Sequence, residues 1–566
     1  MTSGGWGIAV WSGLEPASIS ARIMTNLDIA QNAVLRPITD VAHDLGLSNA
    51  DFEPLGHYKG KLTQEAVSRL SENGTGKLIL VTAISPTPAG EGKTTVTVGL
   101  AQGLQKIGKK AIPATREPAL GPIFGVKGGA CGGGYSQVLP MEDINLFFTG
   151  DFPAIAAAHN LLSAMLDAHL HNGNELDIDT RGTLWPRTVD MNDRALRDII
   201  VGLGGRNNGV MREDGFVITP ASEIMAILCL STSLSDLKRR LGSIVVGQNR
   251  KKQPVTASEL RANGAMAALL VSAIRPNIVQ TMEGGPAIVH GGPFGNIAHG
   301  CSSIVATKCS LGLADYTVTE AGFGSDLGAE KFLNIVCPRL GRGPDAIVLV
   351  ATIRALQHHG GGDLSIGVGN LKQHIRHLQS YGPPVVVAIN RRAEDAMDDH
   401  SQLISMCAEI GVKAVTCNPW GGGGTGCEDL ANLVVEIADQ PSEFHSIYSS
   451  EDSAEDKLRA IVKKVYGGEN VEVSDKARKN LEWFRKNGFG DLPVCVAKTQ
   501  YSVSDDPTLL NEPKGFNLHV REVRLSAGAG FLVAICGEIM LMPGLGKTPT
   551  AFLIDVDDNG KISGLF

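Results

Sequence analysis

A strand-like run that leads straight into a phosphate-binding loop constrains this chain more than any other feature. Leu78–Ile84 is aliphatic apart from Thr82 and rich in β-branched residues, which is typical of a strand covered on both faces. The next residues have the spacing of a Walker A loop that starts at Thr87 and ends in Lys93 and Thr94. A helical pattern follows at once. Strand, loop and helix stand in the order that the motif requires, so the sequence predicts a nucleotide-binding α/β unit.

The loop residues predict how the nucleotide is held. Successive backbone N–H groups at a helix N-terminus form a cradle for phosphate. Lys93 would neutralise the β- and γ-phosphate oxygens, and the Thr94 hydroxyl would reach a Mg²⁺ ion. ATP binding is therefore assigned to the whole loop, which consists of Thr87, Pro88, Ala89, Gly90, Glu91, Gly92, Lys93, Thr94 and Thr95.

Two features downstream of the loop are also candidates for the site. A second strand, near Lys110–Ala114, is followed by Arg116. Ligands of doubly wound sheets bind at the carboxyl ends of the strands, so Arg116 is predicted to meet the transferred phosphoryl group. The alternative is a surface ion pair with Glu117. The segment 128–134 then holds five glycines, which would let its backbone approach a ligand closely.

Alternation of buried strands and helices predicts the fold class. Apolar runs at Asp345–Val350 and Pro384–Ile389 resemble the first strand, and helical patterns cover Ala154–Ala168 and Ser222–Leu230. We predict a P-loop, doubly wound α/β fold with a mostly parallel sheet and additional smaller α/β and α+β domains. The predicted divisions are a disordered extension at 1–23, a nucleotide-binding domain at 24–335, a middle α/β domain at 336–425 and a C-terminal α+β domain at 426–566.

Composition argues against several functional classes. The chain has 51 Lys and Arg against 59 Asp and Glu, a net charge of −8. It therefore lacks the overall positive charge that would favour binding to nucleic acid. The sequence has no uninterrupted run of eighteen apolar residues, so it predicts no membrane-spanning helix. The ten cysteines include no CxxC pair, which is typical of small buried side chains in a reducing compartment. A cytoplasmic location is the expectation, since residues 1–23 also lack the features of a signal peptide.

Blocks of residues throughout the chain resemble the formate–tetrahydrofolate ligase family, also called 10-formyltetrahydrofolate synthetase. The resemblance extends over residues 24–566 and includes the Walker loop, the Arg116 segment and the glycine-rich loop. The matching blocks are 87–95, 116–122, 127–135, 140–146, 148–151, 189–194, 290–294, 320–324, 497–501 and 521–530.

The resemblance implies an activity and a set of ligands. ATP would phosphorylate formate to formyl phosphate, and N10 of tetrahydrofolate would then attack the formyl carbon. Members of the family use Mg²⁺, are stimulated by K⁺ or ammonium, and are typically homotetramers. By similarity, Phe323 would stack on adenine and Trp420 on the folate ring. Folate or formyl phosphate would also contact Gly133, Tyr135, Asp151 and Arg392.

Five positions depart from the family's usual residues. Phe147 and Pro153 replace histidines, Val217 replaces an aspartate, and Gly422 replaces a lysine, while Arg392 stands where an aromatic residue is usual. An arginine can stack on a flat ring or meet a folate carboxylate. The departures nevertheless leave two alternatives open, namely another acyl acceptor, or a nucleotide-binding protein with a role in assembly.

Overall fold

The computed structural model describes residues 24–72, 74–125, 129 and 131–565. The predicted extension at 1–23 lies outside these residues, as do 126–128 and 130 of the glycine-rich segment. The α-helices of the described part are α1 Asn26–Gln31, α2 Ile38–Asp44, α3 Gln64–Glu72, α4 Lys93–Lys106, α5 Leu120–Gly125, α6 Met141–Asn145, α7 Asp151–His171, α8 Glu223–Leu230, α9 Leu234–Gly242, α10 Asn263–Leu269, α11 Ile304–Leu313, α12 Cys337–Leu340, α13 Ile353–His359, α14 Leu364–Gln379, α15 Met397–Glu409, α16 Pro419–Gly422, α17 Glu428–Ala438, α18 Ala454–Ile461 and α19 Asp475–Lys486.

One large sheet organises the described chain, and the labels β1–β12 are kept for its twelve strands. They are β1 Phe52–Pro54, β2 Gly60–Leu62, β3 Lys77–Ala83, β4 Ala111–Thr115, β5 Gly132–Gly133, β6 Ser136–Leu139, β7 Asn277–Thr281, β8 Pro286–Val289, β9 Tyr316–Glu320, β10 Ala346–Ala351, β11 Val385–Asn390 and β12 Ala414–Cys417. Their spatial order is β1-β2-β7-β8-β4-β9-β3-β10-β11-β12, with β6 pairing both β7 and β5.

The strands from β8 to β12 in this order are all parallel, whereas β1, β2, β5, β6 and β7 form antiparallel pairs. The central parallel strands β3, β4, β9, β10 and β11 are buried almost throughout, whereas the edge strand β12 is half-buried. That burial explains why their sequences are continuously apolar rather than alternating. Because β3 lies between β9 and β10, the carboxyl ends of these three strands meet at one edge of the sheet. The Walker loop begins at that edge.

Both faces of the sheet are covered. Alternate side chains of β3 belong to different hydrophobic clusters, since Leu78 and Leu80 pack in one and Ile79 and Val81 in another. The second cluster also includes residues of α4 and α17, while the first includes residues of α7, α8 and α14. The predicted α/β class with a large, mostly parallel sheet is therefore confirmed.

Smaller sheets accompany the large one. A four-stranded sheet contains Asn470–Val473, Asn517–Ser526, Phe531–Cys536 and Val494–Ala497, in that spatial order. A three-stranded sheet contains Pro254–Thr256, Val245–Asn249 and Ile178–Thr183, and three further pairs join Ile199–Val201 to Arg212–Asp214, Arg187–Val189 to Phe216–Ile218, and Asp555–Val556 to Ile562–Ser563. The large sheet continues across the predicted boundary at 335/336, since β10 pairs β3. The domain boundaries stay a prediction.

The cysteines are buried and unpaired, and they are spread over the hydrophobic clusters. Six pack in the cluster of Leu78, and Cys417 and Cys427 in the cluster of Ile79. Cys131 and Cys309 belong to two further clusters. In the described part of the chain, no helix has the length and apolarity needed to cross a membrane.

Two glycines of α4 allow the helix to approach the segment 419–427 very closely. A Cβ added at Gly99 would lie 2.6 Å from Pro419 Cβ and 2.8 Å from Ser136 Oγ. A Cβ added at Gly103 would lie 2.8 Å from the carbonyl oxygen of Cys427. Backbone cannot retreat as a flexible side chain can, so Gly103 fixes the distance between α4 and this segment.

Substituting Gly103 should therefore reveal a packing limit. A buried helical Gly→Ala change gains up to about 1 kcal/mol from helix propensity, but overpacking against backbone costs about 1–3 kcal/mol. We expect Gly103→Ala to lower the free energy of unfolding measured with urea. Gly264→Ala in α10 is the matched control, because nothing lies within 4 Å of its added Cβ. A stabilised Gly103→Ala protein would contradict the packing argument.

Glu223 makes the attachment of α8 to the C-terminal sheet dependent on pH. One carboxylate oxygen accepts hydrogen bonds from the N–H groups of Gly528 (2.7 Å) and Ala529 (3.2 Å). Burial raises the pKa of Glu223 from 4.5 to about 7. A carboxyl whose pKa is raised on folding favours the folded state at low pH, and that stabilisation is lost as pH rises from 4.5 through 7.

The variant Glu223→Gln keeps the accepting oxygen and removes the titration. We expect it to be more stable than the unsubstituted chain by about 1–3 kcal/mol at pH 8, with the difference shrinking towards pH 5. Urea unfolding at a series of pH values measures this difference. A gap that does not change with pH would show that burial does not raise this pKa.

Candidate functional site

The Walker loop is held from within by its own glutamate. Glu91 Oε1 accepts hydrogen bonds from the backbone N–H (2.8 Å) and the hydroxyl (2.9 Å) of Thr87. Thr352, just after β10, donates its hydroxyl to the other carboxylate oxygen. Gly92 then starts α4 with φ of 72°, and a Cβ there would lie 2.5 Å from Asn390 Nδ2. A side chain at position 92 would therefore be both strained and blocked.

Neighbouring strand ends hold the loop from outside. Asn390, the last residue of β11, donates from Nδ2 to the carbonyl oxygen of Glu91 at 3.0 Å. Arg354 and Arg392 each donate from Nη2 to the carbonyl oxygen of Gly90, at 3.1 and 2.9 Å. Loop residues Pro88 and Ala89 stay exposed. The loop is thus fixed at its base and open at its tip.

A single carboxylate joins the Walker threonine to the predicted phosphoryl-binding arginine. Glu320 ends β9, and its Oε2 accepts the hydroxyl of Thr94 at 2.8 Å. Its Oε1 lies 3.7 Å from Arg116 Nη2, while Arg116 Nη1 donates to the carbonyl oxygen of Pro293 at 3.3 Å. The ion pair of Arg116 is thus with Glu320, not with Glu117 as the alternative expectation had it. Thr94 and Arg116 meet at the edge of the sheet.

Trp420 and the glycine-rich segment form an exposed aromatic platform beside α4. The N–H of Tyr135 donates to the carbonyl oxygen of Trp420 at 2.9 Å. Asn26 Oδ1 accepts from the indole Nε1 of Trp420 (3.0 Å) and from the N–H of Gly134 (2.9 Å). A Cβ at Gly133 would lie 3.3 Å from Trp420 Cδ1. Three of the predicted acceptor residues, Gly133, Tyr135 and Trp420, are therefore in contact.

The other predicted residues lie elsewhere. Arg392 contacts the Walker loop, as described. Asp151 is buried in an ion pair with Lys61 (2.8 Å) and also accepts from Asn277 Nδ2 (2.9 Å). Phe323 has φ of 61°, and its Cδ2 lies 3.0 Å from the position of an added Cβ at Gly295. The ligand roles of these residues stay predictions.

Two of the five departures line one cavity. Phe147 and Pro153 border a cavity of about 140 Å³ together with Glu117 and Asp190. Glu117 Oε2 and Asp190 Oδ1 are buried, and neither has a hydrogen-bond partner within the described ranges. Burial raises the pKa of Asp190 to about 6. Burial, and secondarily the charge of Asp151, raise the pKa of Glu117 well above its usual range.

The two remaining departures have simple surroundings. Val217 lies in a short strand, and its carbonyl oxygen accepts the hydroxyl of Thr188 at 2.7 Å. That contact uses the backbone and does not depend on the side chain at 217. Gly422 ends α16, and nothing lies within 4 Å of an added Cβ. A longer side chain at 422 would meet no obstruction.

Comparison with known proteins agrees with this arrangement. The model of the family described as formate–tetrahydrofolate ligase matches residues 24–566. The chain belongs to this family. It is 54% identical over 556 residues to the formate–tetrahydrofolate ligase of Symbiobacterium thermophilum, and 54% identical over 559 residues to that of Methylibium petroleiphilum. Each alignment covers 96% of this chain and 100% of the relative.

Similarity to solved structures is slight. The cytosolic domain of the T. maritima FeoB iron transporter is 15% identical with a TM-score of 0.16, covering 33% of this chain and 60% of that one. A mutant of L. casei FPGS is 9% identical with a TM-score of 0.21, covering 80% and 86%. Neither value bears on the fold of this member of the formate–tetrahydrofolate ligase family.

Several residues of the site were not predicted from the sequence. Glu320 lies in the matching block 320–324 without a predicted role, although an acidic residue that ends a buried strand is itself a signal. No motif in the sequence identifies Asn26 as part of the site. Arg354 and Asn390 follow or end strands, but nothing local indicates that their partners are carbonyl oxygens of the Walker loop.

The hydrogen bond from Thr352 to Glu91 can be tested against a matched site. Thr352→Val keeps the shape but leaves a buried carboxylate oxygen of Glu91 without its donor, at a cost of about 1–3 kcal/mol. It also removes the N-cap of α13, where the hydroxyl accepts from the N–H of Ala355 at 3.1 Å, so the measured loss includes about 0.5–2 kcal/mol from the cap. Thr317→Val is the control, because the Thr317 hydroxyl in β9 is buried and has no partner among the described residues. We expect urea unfolding to show a loss for the first variant and no loss, or a gain, for the second. Equal effects would refute a specific role for this bond.

Proposed function

We propose that the chain ligates formate to tetrahydrofolate, with ATP consumed to ADP and phosphate and with formyl phosphate as the intermediate. The observation that carries this proposal is the position of both predicted substrate sites on α4. The Walker loop lies at its first residue, and the segment that bears Trp420 packs on Gly99 and Gly103. Gly99 lies six positions after Lys93 in the helix, about 9 Å along the axis. A phosphorylated intermediate would therefore form close to the folate platform.

The residues of the chain supply binding and charge. Lys93 and the loop N–H groups bind the nucleotide phosphates, and Arg116 faces the transferred phosphoryl group. A formate oxygen attacks the γ-phosphorus, and the bond to the ADP oxygen breaks. N10 of tetrahydrofolate then attacks the formyl carbon and loses its proton, while phosphate leaves with the electrons of the C–O bond. Arg116 stabilises the negative charge of the acyl phosphate between the two steps.

The residues present suit the expected Mg²⁺. Thr94 presents a hydroxyl at the start of α4 beside a carboxylate, and hard oxygen ligands are those that Mg²⁺ prefers. Within the described ranges there is no group of three or more His, Cys, Asp or Glu residues that could hold a metal alone. That composition suits an ion that arrives with the nucleotide phosphates. When bound, Mg²⁺ neutralises phosphate charge during the transfer.

A monovalent cation fits the cavity at Glu117 and Asp190. Both carboxylates line this cavity, and each has a buried oxygen without a hydrogen-bond partner among the described residues. Such oxygens need either protons or a cation. We assign K⁺ or ammonium to this cavity. The Arg116 segment lies next to it, so an ion there would help to fix the arginine.

We further propose that the chain has the P-loop, doubly wound form of the α/β class and that Phe323 stacks on adenine. The protein acts as a cytoplasmic homotetramer. The domain division at 24–335, 336–425 and 426–566 belongs to the same proposal, with residues of the middle part completing the folate site.

One observation favours the alternative of an altered acceptor. Arg392, which stands where the family usually has an aromatic residue, donates to the Walker loop carbonyl of Gly90. In that position it gives the folate ring no second aromatic face opposite Trp420. A chain that activates formate and passes the formyl group to another amine would be consistent with this contact.

The test is ADP release by the purified chain with ATP, Mg²⁺, K⁺ and formate, with and without tetrahydrofolate. Turnover that requires all substrates and forms 10-formyltetrahydrofolate supports the ligase. Formate-dependent ADP release that is insensitive to folate supports another acceptor. Absence of formate-dependent turnover, together with nucleotide binding, supports a role in assembly.

Substituting Arg392 separates its two candidate roles. Arg392→Ala removes a donor to the Gly90 carbonyl, so we expect the KM for ATP to rise about tenfold, the equivalent of 1.4 kcal/mol. The KM for tetrahydrofolate should change less than the KM for ATP. Arg391→Ala is the neighbouring control. A rise in the folate KM alone would assign Arg392 to the acceptor instead.

Asp190→Asn tests the assigned cation cavity. The change removes one negative charge from the cavity but keeps an oxygen to accept from the N–H of Leu120. We expect the apparent affinity for K⁺, measured from its stimulation of turnover, to fall at least tenfold. Asp193→Asn, outside the residues that line the cavity, is the control. Unchanged stimulation in Asp190→Asn would place the cation elsewhere.

A further inference from the structure

Glu320 has surroundings that a purely structural ion pair does not explain. Its side chain is only 2% exposed. Burial of a carboxylate is costly unless the charge is paired and hydrogen bonded. Yet its arginine partner lies 3.7 Å away, outside hydrogen-bond distance, and among the described residues its one hydrogen-bond donor is the hydroxyl of Thr94.

Arg116 is also incompletely satisfied. Its Nε atom is buried and has no hydrogen-bond partner in the part of the chain that the structure describes, and its Nη1 makes a long bond of 3.3 Å to the carbonyl oxygen of Pro293. Two opposite charges thus lie near each other with bonding capacity left over. Such a group is suited to a further charged ligand rather than to stabilising the fold.

We propose that Glu320 is a protein ligand of the Mg²⁺ that accompanies the nucleotide, together with Thr94. β9 pairs directly with β3, so Glu320 ends at the sheet edge where the Walker loop begins. Mg²⁺ is usually bound by one or two carboxylates plus substrate phosphates. In P-loop enzymes it is held by the loop Ser or Thr and by an acidic residue at the end of another strand. This inference rests on the proposed use of ATP.

The geometry gives the two carboxylate oxygens different tasks. Oε2, which now accepts the Thr94 hydroxyl, would contact the metal beside that hydroxyl. Oε1 would keep Arg116 turned towards the phosphoryl group. Glu320 would therefore couple arrival of the metal to the orientation of the arginine. Its negative charge would also repel metal-free nucleotide, so the site would discriminate in favour of the Mg²⁺ complex.

Metal binding to the nucleotide complex tests this assignment without turnover. The full chain is saturated with the non-hydrolysable analogue AMPPNP, and Mn²⁺ is titrated while free Mn²⁺ is followed by EPR. For Glu320→Gln we expect the Kd of Mn²⁺ to rise at least tenfold. The Kd of AMPPNP measured in EDTA should stay unchanged or fall, because a repelling charge is removed.

Glu330→Gln is the matched control. Glu330 is fully buried and accepts from Asn334 Nδ2 at 2.9 Å, so it reports the general effect of neutralising a buried carboxylate. Its Mn²⁺ affinity should equal that of the unsubstituted chain. Glu320→Asp serves if Glu320→Gln does not fold, since it keeps the charge but withdraws the oxygens by one methylene. It too should weaken Mn²⁺ binding.

Three results would be decisive. Weaker Mn²⁺ binding in the position-320 variants alone supports the assignment. If a folded Glu320→Gln or Glu320→Asp protein binds Mn²⁺ as tightly as the unsubstituted chain, the assignment is overturned. Glu320 is then only an anchor for Arg116. An unsubstituted chain that binds no AMPPNP overturns the proposed function first and the metal assignment with it, and is recognised before any variant is compared.

Discussion

The close approach of α4 to the segment 419–427 is the contact on which the site depends. Gly99 and Gly103 bring the helix against Pro419 and the backbone of Cys427. The helix also packs in the hydrophobic cluster of β3, which includes Cys427 itself. A helix held by both contacts cannot tilt without disturbing this packing, so the loop at its start and the platform beside it keep a constant separation. Transfer of a reactive acyl group between two sites requires that constancy.

Three buried carboxylates near the candidate site have different chemical environments. Glu91 is fully used by donors from Thr87 and Thr352 and acts as part of the loop scaffold. Glu320 faces a hydroxyl and an arginine and has capacity to spare. Glu117 has an unpartnered oxygen and a pKa raised by burial. The same side chain therefore serves as scaffold, proposed metal ligand and proposed cation site, according to the donors that surround it.

The sequence predicted those parts of the molecule that local chemistry controls. The Walker loop, the strands at Leu78 and Asp345 and the helix around Ala154 follow from spacing and from uninterrupted apolar runs. The pairing of Tyr135 with Trp420 rests on more than 280 residues of intervening chain, and no local pattern encodes it. Arg392 shows the same limit, because its position beside the Gly90 carbonyl depends on how β11 sits relative to β3. Glu320 lay at a strand end, but its contact with Thr94 required the order of the strands.

The distribution of the cysteines has a practical consequence. Ten unpaired thiols are buried, and four separate hydrophobic clusters each contain at least one of them. A thiolate reacts only after its surroundings open. The rate at which each cysteine is alkylated in the native protein would therefore report how often its own hydrophobic cluster opens. Because each of the four clusters contains a cysteine, mass spectrometry of the alkylated protein can measure the opening rate of each cluster separately.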